Sequence, residues 1–100
     1  MLYYTQLIFI KQGQEELFHQ FEDSVLPLLT HHGGELILRV RPDQGTFIGG
    51  SSRCPYEIHI VSFPSKKLFE DYAKDPERVK HISLKDQSVE KVILIEGIAL

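Results

Sequence analysis

Two side chains near the middle of this 100-residue chain have types and positions suited to chemistry, His59 and Arg39. His59 lies in the run Tyr56-Glu57-Ile58-His59-Ile60-Val61-Ser62-Phe63, where strand alternation places Glu57, His59, Val61 and Phe63 on one face. An imidazole exchanges a proton near neutral pH, and a carboxylate two residues away on the same face would tune it. Arg39 lies on the mixed face of the segment Glu35 to Arg41, together with Ile37 and Arg41. A guanidinium there can take a substrate carboxylate through two parallel hydrogen bonds. The candidate catalytic pair is therefore His59 as base and Arg39 as anion stabiliser. Gln6, Glu57, Val61 and Phe63 are the candidate ligand contacts. The competing explanation is structural: a histidine packed at an interface, and arginines paired with Glu57 or Glu35. Tyr4 shares the face of Gln6, but the first segment is apolar on both sides, so Tyr3 and Thr5 are the alternative.

Other chemistry-bearing residues are less well placed. Arg78 sits early in a short helix, where the helix dipole does not favour its charge. Asp75 before Pro76 is a helix cap, since its carboxylate can accept an orphan amide and proline at the first helical position loses no needed bond. His31 and His32 are adjacent, so they point in different directions, and no His-x-x-x-His or Glu-x-x-His completes a metal site. No metal or cofactor is expected, haem included. Gly49-Gly50-Ser51-Ser52 forms no phosphate-cradling motif. The single cysteine, Cys54, excludes an intrachain disulfide, and its setting gives no sign of a reactive thiolate.

The elements that must position these residues read clearly. Leu2 to Ile10 is a strand rich in aromatic and β-branched residues, apolar on both faces and thus covered on both. A helix runs from about Gln14 to His31, with Leu17, Phe21, Val25 and Leu28 as its stripe, widened by Phe18 and Leu29. Pro27 should disturb its last turns, and Gly33-Gly34 ends it. Glu35 to Arg41 and Tyr56 to Phe63 are strands, separated by a long connection over residues 42–55. Ser65 caps a second helix buried through Leu68, Phe69 and Tyr72, and Val79 and Ile82 anchor the short helix after Pro76. Val89 to Glu96 closes the chain as a fourth strand. Strand, helix, strand, strand, helix, strand predicts a ferredoxin-like α+β domain over residues 1–100, with a four-stranded antiparallel sheet and both helices on one face. The other sheet face, carrying Phe9 or Ile10, Ile37, Val61 and Phe63, would be covered by a second copy of the chain.

Composition is that of a globular domain, 42% hydrophobic and 25% charged. A net charge of -3 and scattered basic residues give no reason to expect nucleic acid. The run Leu2 to Ile10 is too short to span a bilayer and has no signal-peptide pattern, so no membrane partner and a cytoplasmic location are expected.

The strand end Val61-Ser62-Phe63-Pro64-Ser65, the helix start Asp75-Pro76-Glu77-Arg78 and the closing Leu94-Ile95-Glu96-Gly97 carry a resemblance. In order and spacing they resemble the dimeric α/β-barrel superfamily, and within it the DUF1330-like proteins. The resemblance implies a homodimer whose two sheets close into a dimeric α/β barrel around a shared interior. That superfamily includes cofactor-independent monooxygenases, haem-degrading enzymes and isomerases, so the fold alone transfers no activity. Three uses follow. The first is a small-molecule-binding domain, with Phe and Ile holding an apolar or aromatic group while Arg39 and His59 orient an oxygenated or acidic end. The second is a cofactor-independent oxygenase or isomerase. The third is a structural dimerisation domain with a fully packed interior.

Overall fold

A computed structural model describes the whole chain, Met1 to Leu100. Strand β1 (Leu2–Ile10) is central, flanked by β3 (Glu57–Phe63) and β4 (Val89–Gly97), with β2 (Glu35–Val40) outside β3. Every neighbouring pair is antiparallel and the order is β2-β3-β1-β4. The expected βαββαβ ferredoxin-like α+β arrangement is therefore present. The expected barrel is not. The four strands form an open sheet with β2 and β4 as its two unpaired edges, not closed into a barrel.

Helix α1 (Glu15–Val25) begins with the acidic pair Glu15 and Glu16, which complement its positive end. It stops earlier than the sequence suggests. Pro27 opens a 3-10 helix over Leu26–His32, where its missing amide costs least, instead of merely kinking a longer α-helix. Gly33 then adopts a left-handed φ of 71°, and a Cβ on Gly34 would lie 2.7 Å from the Phe63 ring. Both glycines are needed where the chain turns tightly against β3. Ser65 caps α2 (Lys66–Ala73) by accepting from the Leu68 amide, and Asp75 caps α3 (Pro76–Val79) by accepting from Glu77. Asp75 also accepts from His32 Nε2 at 2.6 Å, which ties α3 to the 3-10 helix. Helix α4 (Ile82–Ser88) leads into β4.

Register decides which side chains meet. Tyr4, Gln6 and Ile8 pair with Val61, His59 and Glu57, and this row faces the helices. There Tyr4, Val61 and Phe63 pack with Leu29 and Tyr72, and Ile8 and Ile10 pack with Phe18. Val61 and Phe63 thus belong to the core beneath the helices, contrary to their expected place on the uncovered face. The choice left open in β1 is resolved as well: Tyr4 and Gln6 face the helices, Tyr3 and Thr5 the other way.

In β2 one extra residue interrupts the pairing, because Leu36 meets Val61 while Leu38 meets Ile60. This bulge at Ile37 resets the alternation. It turns Arg39 towards the helix side opposite His59 and leaves Leu38 and Val40 on the open face, half-exposed. The open face also carries Leu7, Ile58, Ile60, Ile93 and Ile95, so it is strongly apolar. No helix is long and apolar enough to cross a membrane.

Candidate functional site

The residues singled out in the sequence separate into two places. Glu57 is fully buried and is the hub of the first. Arg39 donates to it through Nε (2.8 Å to Oε1) and Nη2 (3.2 Å to Oε2). Arg41 Nε adds a bond of 2.6 Å to Oε2, and His59 Nε2 lies 2.7 Å from Oε1. Burial by itself would raise the Glu57 carboxyl, but the bonds from His59, Arg39 and Arg41 outweigh it and hold the group at about 2. An ionised carboxylate only accepts, so His59 Nε2 carries the proton it shares with Glu57. Arg39 is held charged in return. This network saturates the Glu57 carboxylate, which is left with nothing to offer a ligand, while the half-exposed Arg41 is bonded to it through Nε alone. The expected opening of His59 and Arg39 into a space enclosed by two sheets is corrected by the register: both lie on the helix side.

The second place is a cleft of about 260 Å³ between the helices and the β1–β4 side of the sheet. Phe18, Phe21 and Phe69 form much of its apolar wall, with Val92 and Leu94 of β4 along the rim. Its inner end continues into a void of about 40 Å³ bordered by His59, Val61 and Phe63, and Gln6, Glu22, Tyr72 and Arg78 line both. Four of the expected site residues, Gln6, His59, Val61 and Phe63, therefore converge on this space. Arg39 and Glu57 do not border it.

Its polar groups are unusual. Glu22 is 6% exposed, makes no hydrogen bond or salt bridge within the chain, and its oxygens open onto the cleft. Burial pushes its carboxyl above the ordinary value, against the pull of His59, Arg39 and Arg78. The Arg78 guanidinium lies 5.6 Å from the Phe21 ring and 5.2 Å from the Tyr72 ring, and Nη1 donates to the Ala73 carbonyl. Its buried Nε has no partner. Lys85, also on the cleft, has its pKa lowered by burial. The Tyr72 hydroxyl donates to the Val25 carbonyl.

Glu22, Arg78 and Lys85 escape a reading of the sequence that follows apolar spacing alone. The signal for Glu22 is its position: Phe18, Phe21, Glu22 and Val25 fall on one helical face, so a carboxyl sits inside the buried stripe. A larger hollow of about 420 Å³ lies beside the 42–55 connection, around Phe9, Arg53 and Tyr56. Both of its arginines already carry a carboxylate partner, Arg41 through Nε to Glu57 and Arg53 to Glu90. No group of three or more His, Cys, Asp or Glu side chains is arranged to hold a metal.

No family model matches the chain, and no curated protein does, so kinship with the DUF1330-like proteins in particular is not supported. Solved structures do match over its whole length. A protein of unknown function from Rhodopseudomonas palustris superposes with a TM-score of 0.83 at 17% identity, over 99% of this chain and 82% of the other. An uncharacterized NIPSNAP domain protein from Burkholderia xenovorans gives 0.73 at 15% identity, over 100% and 95%. A dimeric ferredoxin-like protein of unknown function from Jannaschia sp. gives 0.70 at 16% identity, over 98% of each chain. The chain has a ferredoxin-like fold. At these identities the likeness carries the fold and no activity.

Proposed function

We propose that this chain is a homodimeric small-molecule-binding domain whose helix-side cleft takes an apolar or aromatic ligand with an oxygenated or acidic end. The observation that carries the reading is the combination of a phenylalanine-lined cleft with polar groups unused by the protein, the Glu22 carboxyl and Arg78 Nε. Binding sites typically pair an apolar wall with a few convergent polar groups in this way. An unpartnered buried donor is costly in a folded chain, and a ligand that accepts its hydrogen bond removes that cost. Self-association is supported by the apolar open face and by the dimeric neighbour of like fold.

Titration calorimetry with 3-phenylpropanoate tests the cleft. Binding is expected for the native chain and is expected to vanish in Leu94→Trp, which fills the rim. Absence of binding by the native chain at millimolar probe overturns the proposal. For the dimer, light scattering at micromolar concentration should give twice the 11.5 kDa chain mass, reverting to monomer in Ile95→Glu. A native chain that is monomeric there would remove the dimer from the reading.

A further inference from the structure

A buried carboxyl without a protein partner, open to an apolar cleft and flanked by an arginine with a free donor, is an arrangement for moving protons. We propose that Glu22 is the catalytic base of a keto–enol tautomerase site, acting on aryl-substituted 2-oxo acids with Arg78 stabilising the enolate oxygen. The inference rests on the cleft being the ligand site, and adds to it a reaction and a substrate class.

Each part of such a substrate has a counterpart. An aryl ring matches Phe18, Phe21 and Phe69, and the carboxylate matches the cationic side of the cleft, Arg78 and Lys85. The carbon acid between ring and carbonyl requires a base of raised pKa held out of water. Glu22 lies nine-tenths or more buried on α1 and has no competing bond within the protein. The titratable and charged groups coupled to it are His59 and Glu57 on β3, Arg39 on β2, Tyr72 on α2, Arg78 on α3 and Lys85 on α4. Burial is the largest influence on it and works towards a stronger base.

The reaction needs no cofactor. The Glu22 carboxylate removes a proton from C3 of the 2-oxo acid. The C–H electron pair becomes the C2=C3 double bond as the carbonyl pair moves onto oxygen. Arg78 donates to that oxygen while the charge is there. The proton on Glu22 then passes to the oxygen and gives the enol; the reverse sequence regenerates the ketone. Nothing is oxidised or reduced, and Glu22 ends as it began.

Phenylpyruvate is the probe. In deuterium oxide, proton NMR should show its C3 hydrogens exchanging faster with the native chain than in buffer alone. Glu22→Gln should lower the enzyme-dependent rate about 100-fold or more, the range for loss of a general base. Glu22→Asp, one methylene short, should fall between the two. Binding of 3-phenylpropanoate, which has no carbonyl to enolise, should survive Glu22→Gln. Probe binding without enhanced exchange overturns the proton transfer and leaves the binding site standing. Absence of both overturns the cleft reading too. Exchange undiminished in Glu22→Gln overturns Glu22 as the base.

Discussion

Two glutamates are buried beneath the helices of this fold, and they lie in opposite electrostatic situations. Glu57 is fully buried, yet it is held at about 2 because His59, Arg39 and Arg41 all bond to it. Glu22 is almost as buried, has no bonded partner, and is pushed upward. Burial acts on both in the same direction, so the partners make the difference. A carboxyl saturated by its neighbours serves the structure, whereas one left open to a cleft is available to a ligand.

The contrast is broken most severely at Glu57. Glu57→Gln keeps the shape but strands two guanidiniums and an imidazole, and should cost about 3 kcal/mol in urea unfolding. A loss within about 0.5 kcal/mol, the range of ordinary surface changes, would mean the network contributes nothing. Glu22→Gln should have the opposite sign. Replacing an unpartnered buried carboxyl with a neutral amide should stabilise by about 1 kcal/mol in the same assay; destabilisation would reveal a hidden partner.

Acidity sharpens the comparison further. Glu57 has a folded-state pKa depressed from 4.5 to about 2, so its stabilisation is present above about pH 4.5 and is lost as pH falls towards 2. The difference between native chain and Glu57→Gln should shrink over that window. Glu22 is raised in the fold, so its contribution is favourable below 4.5 and is lost as pH rises through its folded pKa. The advantage of Glu22→Gln should therefore grow as pH increases from 4.5. Parallel pH profiles for the two variants would contradict the assignment. The smallest effect is expected outside this pair. Asp75→Ala removes the exposed α3 cap and the part-buried tie to His32, and should lower the thermal midpoint slightly without affecting cleft binding.

Much of the fold was legible because local signals agreed. Ser65 and Asp75 cap where their types predict, and Pro27 changes the helix where its missing amide demands. The facing of the sheet was harder. β1 is apolar on both sides, so its pattern gives no orientation; only its pairing with His59 and Val61 settles that Gln6 points to the helices. The barrel was not legible either way, because whether a sheet ends in open edges at β2 and β4 is a property of the assembled strand order that no single strand displays. The candidate site was legible in part. Alternation on β3 correctly grouped Glu57, His59, Val61 and Phe63, but it could not tell a satisfied carboxylate from a free one. That distinction depends on Arg39 and Arg41 arriving from another strand. Glu22 was hidden because attention to apolar spacing passes over a polar residue within the stripe.

The extra residue at Ile37 sets the parity of β2. Everything beyond it points the opposite way from an uninterrupted strand starting at Leu36. Absorbing Ile37 into regular pairing, with Leu36 held in register, would send both guanidiniums to the uncovered side of the sheet and withdraw Leu38 and Val40 from it. Glu57 would lose two of its three partners, and the apolar surface would become a cationic one. Charge neutralisation within the core and stickiness outside it are thus inherited together, through a single insertion that no point substitution can reproduce.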